Sequence, residues 1–275
     1  MTVPNAEQVA AWDGPSGLFW VENAARYAET TRPHNAALLA SRPVAPGDAV
    51  LDVGCGSGGL TRAAARLAGP GGSAFGVDLS GAQVVYARSL SADLAGVAFE
   101  QADAQTYDFG AGRFDALVSQ FGTMFFDDPA AAFANLARAV RPGGRLTMVV
   151  WAAFEDNEWV TAMVRALAGD APPPVDASGP FALSAPGRVR GLLTGAGFAG
   201  VELDAVHGEA SWGADVEDAY PFVLGGGMVR RTLAAMPEAD RPAARDRLRA
   251  TLADHATADG VRFRSKSWLV TARRS

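Results

Sequence analysis

The chain has 275 residues, of which 49% are hydrophobic and 20% charged, a composition that indicates a globular protein and excludes a disordered or collagen-like one. Its 24 Lys and Arg residues against 30 Asp and Glu give a net charge of -6, which argues against nucleic acid as the main partner. The single cysteine, Cys55, excludes an internal disulfide and any metal site built from three or four thiolates.

The N-terminal part of the chain is predicted to be helical. Residues 19–30 and 33–41 have helical patterns, and a turn at residues 46–48 leads into the first apolar run. We therefore expect residues 1–45 to form an N-terminal helical cover that contains two short helices.

Short apolar runs alternate with helical patterns from residue 49 onward. Such alternation predicts an α/β fold with a parallel sheet whose crossover connections are helices. The five predicted strands are 49–53, 74–78, 97–101, 114–119 and 146–151. The predicted helices between them are 60–68, 82–94 after a Ser80 cap, and 129–140 with Asp128 as its cap.

Two irregular segments interrupt the alternation after the fifth strand. Residues 152–184 contain one helical pattern and three consecutive prolines, and residues 211–259 contain two more helical patterns. A sixth strand is predicted at 201–207 and a last strand within 261–272. Because each segment directly follows a strand, we expect both to be cap insertions at the same end of a single domain, residues 1–275.

A glycine-rich loop at residues 51–59 is the sharpest local signal. Gly54, Gly56 and Gly58 allow a tight turn and let a ligand approach the main chain, while the following helix offers free N–H groups. The loop suits a nucleotide-like ligand. On its own the pattern also satisfies the dinucleotide-binding motif, so a nicotinamide cofactor stays open at this point.

Three acidic residues favour a different ligand. Asp52 would place a carboxylate in the mouth of the loop, where it repels a pyrophosphate but attracts an ammonium or a sulfonium. Asp78 ends the second strand, where a carboxylate can accept hydrogen bonds from both hydroxyls of a ribose. Asp103 closes the third strand, where it could accept from the exocyclic amine of an adenine. Together they indicate a cationic adenosyl ligand.

Four motifs in order resemble those of the class I S-adenosylmethionine-dependent methyltransferases. Residues 50–58 match the family's first motif, 76–80 its ribose-binding strand end, 101–105 its adenine-binding turn and 141–146 the turn into its fifth strand. Residues 119–126 are similar to the quinone-biosynthesis branch and its small-molecule relatives. The resemblance implies a Rossmann-like, seven-stranded, mostly parallel sheet flanked by helices, with the last strand antiparallel beside the sixth.

The resemblance also implies S-adenosylmethionine as the cofactor and a set of residues that bind it. Tyr27 is included because relatives often use an aromatic side chain to close over the cofactor. The predicted cofactor-binding residues are Asp52, Gly54, Cys55, Gly56, Asp78, Leu79, Asp103, Ala104, Gln120 and Tyr27.

Candidate catalytic and substrate residues carry no motif of their own. Histidine is the side chain whose ordinary pKa lies nearest neutrality, so His34 and His207 are the candidate general bases, beside a structural role for each. Aromatic side chains in or next to the insertions could form a substrate wall or the core of a small module. They are Trp151, Phe154, Trp159, Trp212 and Phe222.

No metal is expected at the site. Asp156 and Asn157 resemble the acidic pair of metal-dependent catechol methyltransferases, but Gln120 and Phe121 stand where a further ligand is needed. The sequence also has no apolar run of the roughly 20 residues that span a bilayer, so we expect a cytoplasmic protein without a membrane partner. It makes no prediction of the oligomeric state.

These observations predict a methyltransferase that acts on a small, partly apolar molecule. Oxygen is the first choice of acceptor atom, on the frequency of oxygen acceptors among relatives and on the candidate histidines, while carbon and nitrogen stay open. Two alternatives remain. The chain could bind S-adenosylmethionine without methyl transfer, as a scaffold, a sensor or a catalyst of a rearrangement, or it could be a nicotinamide oxidoreductase.

Overall fold

The computed structural model describes residues 5–168 and 179–275, which form a mixed α/β fold around one sheet. The strands are Ala49–Val53 (β1), Ser73–Asp78 (β2), Val97–Gln101 (β3), Phe114–Gln120 (β4), Val140–Trp151 (β5), Phe198–Gly213 (β6), Ala256–Thr257 (β7) and Gly260–Arg274 (β8). All seven predicted strands are present. The two-residue β7 is an addition that the sequence does not signal.

The order of the strands places the carboxyl ends of β1, β2, β4, β5 and β6 at one edge of the sheet. The order is β3-β2-β1-β4-β5-β8-β6, with β7 beside β8, and β1 to β5 pair in parallel. β8 is antiparallel to both β5 and β6, as the resemblance implied. β6 therefore runs parallel to β5, so each cap segment leaves the sheet at the edge where the glycine loop lies.

Helices flank the sheet and follow the predicted pattern where polar caps mark their starts. Ser80 Oγ accepts from Gln83 N–H, and Asp128 Oδ1 accepts from Ala131 N–H at 3.0 Å. The helices are Ala6–Trp12 (α1), Pro15–Glu22 (α2), Ala24–Ala40 (α3), Gly59–Ala68 (α4), Gly81–Ser89 (α5), Pro129–Ala139 (α6), Glu158–Ala168 (α7), Pro186–Gly195 (α8), Val216–Gly225 (α9), Gly227–Ala235 (α10) and Arg241–Asp254 (α11). Short 3₁₀ turns lie at Thr123–Phe125, Phe154–Asp156 and Glu238–Asp240.

The predicted helix break at Pro33 is wrong, because α3 continues through that residue. The break lies at Asn23 instead, whose side-chain amide donates to the Phe19 carbonyl. A proline inside a helix removes one backbone hydrogen bond, and tertiary packing offsets that cost here. The Pro33 ring packs against Gly208 in β6, where a Cβ would come within 2.7 Å of it.

The two predicted cap insertions differ from their predicted boundaries. β6 extends to Gly213, so the segment 211–259 begins inside a strand, and α10 within it was not predicted. The segment 152–184 contains the 3₁₀ turn at Phe154–Asp156 and α7, while residues 169–178 lie outside the described residues. None of the described helices is both long enough and apolar enough to cross a membrane.

The two largest apolar cores among the described residues hold most of these elements together. The larger core lies between the central sheet and its flanking helices and includes Leu51, Leu117 and Leu146, all 0% exposed. The smaller core joins α7, α9, α10 and α11 to the outer half of β8 through Val261 and Phe263. The cap is thus built on the part of β8 that extends beyond its pairing with β5.

Candidate functional site

The glycine loop connects β1 to α4 in a conformation that only glycine adopts without strain. Gly54, Gly56 and Gly58 have φ angles of +69°, +51° and +74°. Gly54 also lies against the β4 loop, since a Cβ on it would be 2.6 Å from the Gly122 Cα. The loop therefore has to be made of glycine both for its turns and for this close contact.

Asp52 lies in β1 just before the glycine loop and is almost fully buried, at 1% exposure. Thr61 donates a 2.6 Å hydrogen bond to its Oδ2, while its Oδ1 is buried without a partner among the described residues. Burial, assisted by the nearby Asp78 charge and opposed by the Thr61 hydrogen bond, raises the pKa of Asp52 to about 7. A buried acceptor without a partner suits a ligand that carries a hydrogen-bond donor and a positive charge.

Asp78 holds the loop from the end of β2. Its Oδ2 accepts from Gly56 N–H at 2.8 Å and its Oδ1 accepts from Ser80 N–H at 2.9 Å. Burial raises the pKa of this carboxyl above its ordinary value. Each oxygen keeps a second lone pair, so the predicted contact with ribose hydroxyls is compatible with these bonds. Asp52 and Asp78 form no ion pair with any described residue.

Asp103 contacts the N-terminal helices, which sequence reasoning did not foresee. Its Oδ1 accepts from Asn5 Nδ2 at 2.8 Å and from Gln105 N–H at 2.9 Å. The side-chain oxygen of Asn5 in turn accepts from Asp127 N–H at 2.7 Å. Asp13 accepts from Gly81 N–H at 3.1 Å. Residues 5–22 therefore lie across the same strand ends that carry the predicted cofactor-binding residues.

The other predicted cofactor-binding residues occupy different surroundings. Cys55 is 7% exposed, and burial raises the pKa of its thiol well above the ordinary value, so it stays protonated. Gln120 Nε2 donates to Thr31 Oγ1 at 3.0 Å and so ties β4 to α3. The Leu79 carbonyl accepts from Gln101, and that of Ala104 accepts from Asn135. Tyr27 is 36% exposed and packs on Trp20, so its closure over a cofactor stays a prediction.

His34 is fully buried between two serines of β8. Its Nε2 lies 2.9 Å from Ser265 Oγ and its Nδ1 lies 2.7 Å from Ser267 Oγ. Because Ser265 Oγ donates to the Gly208 carbonyl, His34 Nε2 must carry the proton and Nδ1 must accept one. Burial lowers the pKa of His34 to about 4. Both nitrogens are engaged, which favours a positioning role over proton transfer to a substrate.

His207 lies in a separate, charged cleft of about 510 Å³. The cleft also contains Asp156, which pairs with Lys266 at 2.9 Å, and Glu158, which pairs with Arg264 at 3.0 Å. Arg264 and Lys266 alternate along β8 with Ser265 and Ser267. The two ion-paired side chains therefore point to one face of the sheet, and the two serines that contact His34 point to the other. His207 is thus apart from His34, and its role as a base stays a prediction.

Four of the five predicted substrate residues belong to one continuous series of aromatic rings, here called the aromatic series. It begins at Phe121, which has an unusual positive φ of +59° and stacks on Trp151 at 4.0 Å. Successive ring centroids are 4.0–6.0 Å apart along Phe121, Trp151, Trp159, Trp212, Phe222, Phe19, Trp20, Trp12 and Phe125. Phe154 is connected to it through Phe181.

The aromatic series links three parts of the chain that are far apart in sequence. Phe121 and Phe125 follow β4, Trp159 and Trp212 come from the two cap segments, and Phe19 belongs to α2. Phe121 and the N-terminal rings were not predicted as site residues. The only sequence signal of the N-terminal rings is that positions 12–20 are rich in aromatic residues. That signal gains a meaning only when the fold places this segment at the sheet edge.

Among the described residues, no group of three or more His, Cys, Asp or Glu side chains is arranged so that it could hold a metal ion. Asn157 is fully buried and structural: its Oδ1 accepts from Lys266 N–H at 2.9 Å and from Trp159 Nε1 at 3.2 Å. The expectation that no metal participates stays a prediction.

Comparison with known proteins agrees with the motifs. Residues 50–144 match the family described as a methyltransferase domain. The chain is 33% identical over 176 residues to nocamycin O-methyltransferase of Saccharothrix syringae, covering 59% of this chain and 62% of that protein. It is 37% identical over 109 residues to the ubiquinone/menaquinone biosynthesis C-methyltransferase UbiE of Teredinibacter turnerae, covering 38% and 44%. The chain thus spans less than two thirds of each.

A solved structure extends the likeness to the whole fold. The YcgJ protein of Bacillus subtilis superposes with a TM-score of 0.58 at 19% identity, covering 88% of this chain and 98% of that one. The matched domain contains the glycine loop, Asp78 and Asp103, and the antiparallel pairing of the last strand with β6 is the one that the resemblance implied. The chain therefore contains a methyltransferase domain at residues 50–144, and its motifs and strand arrangement resemble those of the class I S-adenosylmethionine-dependent methyltransferases.

Proposed function

We propose that this protein transfers the methyl group of S-adenosylmethionine to an oxygen atom of a small, flat and largely apolar acceptor. The aromatic series is the observation that carries the proposal. It begins beside the glycine loop, and its rings come from both cap segments and from the N-terminal helices.

The cofactor fits the charges that the site presents. S-adenosylmethionine supplies an electrophilic methyl group on a sulfonium, together with an ammonium and an adenosine. Asp52 Oδ1, which is buried and has no partner among the described residues, would accept from the ammonium, and Asp78 would accept from the ribose hydroxyls. Asp103 would bind the adenine amine, in competition with or beside Asn5. A pyrophosphate would instead meet two buried carboxylates, which disfavours a nicotinamide dinucleotide.

The acceptor is inferred from the aromatic series. A surface of aromatic rings binds flat conjugated molecules through stacking and edge contacts. The arginine that stacks over Phe222 is already paired, since Arg26 forms an ion pair with Asp218. The aromatic series therefore favours a neutral acceptor over a charged one.

The lengths of two sequence alignments, one with an O-methyltransferase and one with a C-methyltransferase, favour oxygen over carbon as the acceptor atom. The alignment with nocamycin O-methyltransferase covers 176 residues, nearly twice the span 50–144 of the matched domain, so it includes parts of the chain outside the cofactor-binding half. The alignment with UbiE covers 109 residues, about the length of that domain alone. Sequence similarity outside residues 50–144 is relevant to the acceptor, because most of the aromatic rings proposed to bind the acceptor lie outside that range.

The test combines cofactor binding with product analysis. Calorimetry should give a complex with S-adenosylmethionine and with S-adenosylhomocysteine, and none with NADH. The protein is then incubated with methyl-labelled S-adenosylmethionine and a panel of flat enols and phenols, each beside its own methyl ether. We expect label in the free hydroxyl compounds only, with one S-adenosylhomocysteine formed per methyl transferred.

Three outcomes would overturn the proposal in different ways. Label on carbon or nitrogen would change the acceptor atom. Conversion of an acceptor without formation of S-adenosylhomocysteine would indicate a rearrangement catalyst. Tight cofactor binding with no turnover across the panel and across a cell extract would indicate a scaffold or a sensor.

A further inference from the structure

Two stacked tryptophans in the aromatic series differ in one respect. The rings of Trp159 and Trp212 are 5.8 Å apart and nearly parallel, at 27°. Trp159 Nε1 donates to Asn157 Oδ1 at 3.2 Å. Trp212 Nε1 is buried and has no acceptor among the described residues. A buried N–H without an acceptor is costly, so each such group needs an explanation.

The surroundings of the Trp212 ring are apolar. Its ring neighbours besides Trp159 are Phe222 at 5.7 Å and Phe263 at 6.2 Å. Rings of this kind cannot provide a strong acceptor for an N–H group. The donor is therefore left for an acceptor molecule that packs against the rings.

The position of Trp212 is fixed by close packing. It lies at an irregularity of β6, between Ser211 and Gly213, where the register with β8 shifts. A Cβ on Gly213 would lie 2.7 Å from the backbone nitrogen of Ala219 in α9, so the start of α9 presses directly on the strand. Such packing holds the indole in place before a ligand arrives, which reduces the entropy cost of binding.

We propose that Trp212 Nε1 donates a hydrogen bond to a carbonyl or ether oxygen of the acceptor and so determines specificity. The substrate class is then a neutral, flat, conjugated carbonyl compound, packed against the aromatic rings of the two cap segments. This inference rests on the proposed function, since it takes the aromatic series to be the acceptor site. Trp212 is a binding residue and takes no part in bond making.

The experiment uses two flat bicyclic probes of similar shape. Chromone has a carbonyl and an ether oxygen, and naphthalene has neither. Each is titrated into the full chain, labelled with ¹⁵N in its tryptophan indoles and saturated with S-adenosylhomocysteine. The six tryptophans give one indole signal each, and the Trp212 signal is identified by its loss in Trp212→Phe. Chromone should move the Trp212 indole proton downfield, and naphthalene should not.

Two variants separate the hydrogen bond from the stacking. Trp212→Phe keeps an aromatic ring and should bind chromone about tenfold more weakly, the effect of one hydrogen bond, with naphthalene unchanged. Trp159→Phe removes an indole whose N–H already has a partner and should change the ratio of the two affinities by less than about threefold.

The inference is overturned if chromone leaves the Trp212 signal in place, if naphthalene moves it equally, or if Trp212→Phe binds both probes as the parent does. The S-adenosylhomocysteine titration is a separate measurement. Its failure would count against the proposed function, whereas its success with an unmoved Trp212 signal would count against the hydrogen bond alone.

Discussion

Asp52→Asn should change how the stability of the protein depends on pH. The carboxyl is buried, and moving its pKa from 3.8 to about 7 corresponds to about 4 kcal/mol of unfolding free energy. Because the pKa is raised in the folded state, this stabilisation is complete below about pH 4 and is lost as the pH rises through 7. The substitution removes the titrating group and should flatten that decline.

The assay is urea unfolding of the parent and the variant at intervals from pH 5 to pH 8, without cofactor. The difference between the two curves isolates Asp52, since His34 contributes a slope of the opposite sign to both. Asp204→Asn, at an exposed position of β6, is the control for the loss of one negative charge. We expect the difference between parent and Asp52→Asn to grow in favour of the variant by several kcal/mol towards pH 8. Parallel curves would refute the reasoning.

The same substitution tests the role of Asp52 toward the cofactor. An ammonium next to Asp52 stabilises its charged form, so binding at pH 7 should release part of a proton from the parent protein. Calorimetry in two buffers of different ionisation enthalpy measures that release. Asp52→Asn should release none and bind at least tenfold more weakly, the scale of a hydrogen bond to a charged group. Equal proton release from both proteins would assign the proton to another residue.

Four further predictions follow from the site. Asp78→Ala should weaken S-adenosylhomocysteine binding by about 1.5–3 kcal/mol in calorimetry, and an unchanged affinity would contradict the ribose contact. Because burial lowers the pKa of His34 from 6.5 to about 4, its stabilisation is lost as the pH falls through that range, by about 3 kcal/mol, and His34→Gln should abolish this loss in acid unfolding. Phe222→Ala should reduce methyl transfer while cofactor affinity stays within about threefold, because hydrophobic contacts to the acceptor are lost and the glycine loop is separate. Turnover should survive a chelator, and its loss with recovery on adding magnesium would show that a metal takes part.

The glycine loop and its neighbourhood with Asp78 could be predicted because their signals are local. A glycine loop after one strand and an aspartate at the end of the next need only the rule that parallel strands end at one edge. The structure brings Asp78 Oδ2 within 2.8 Å of Gly56 N–H, which joins the two motifs directly. The sequence could not show that Asp52 is almost fully buried and that Thr61 takes one of its oxygens.

The N-terminal contacts could not be predicted, because they depend on residues far apart in the chain. Asn5 reaches Asp103 across 98 positions, and His34 reaches Ser265 across 231. No local pattern around His34 distinguishes a catalytic base from a buried ring held by two hydroxyls. The continuation of α3 through Pro33 has the same origin, since only the packing on Gly208 offsets the lost hydrogen bond.

The length of β6 was underestimated for a different reason. Most of its residues are at least partly exposed, so the strand lacks the apolar alternation by which strands are recognised. Pairing with β8 extends it, because β8 carries buried residues along its whole length. This extension carries Trp212 past the end of β5 and into the aromatic series, which no property of residues 201–213 alone indicates.

The arrangement of the site limits which acceptors could react in it. Both nitrogens of His34 are engaged, and His207 lies in the charged cleft on β6, so we propose that the acceptor reacts without a dedicated base from either histidine. Methyl transfer in such a site depends on placing the oxygen in line at about 3–3.5 Å from the methyl carbon. An acceptor with an acidic hydroxyl can bind in its neutral form and lose the proton to water as the methyl group is transferred, so it needs no base. A hydroxyl conjugated to a carbonyl meets this requirement and also offers the oxygen that Trp212 Nε1 lacks, so the two inferences select the same class of molecule.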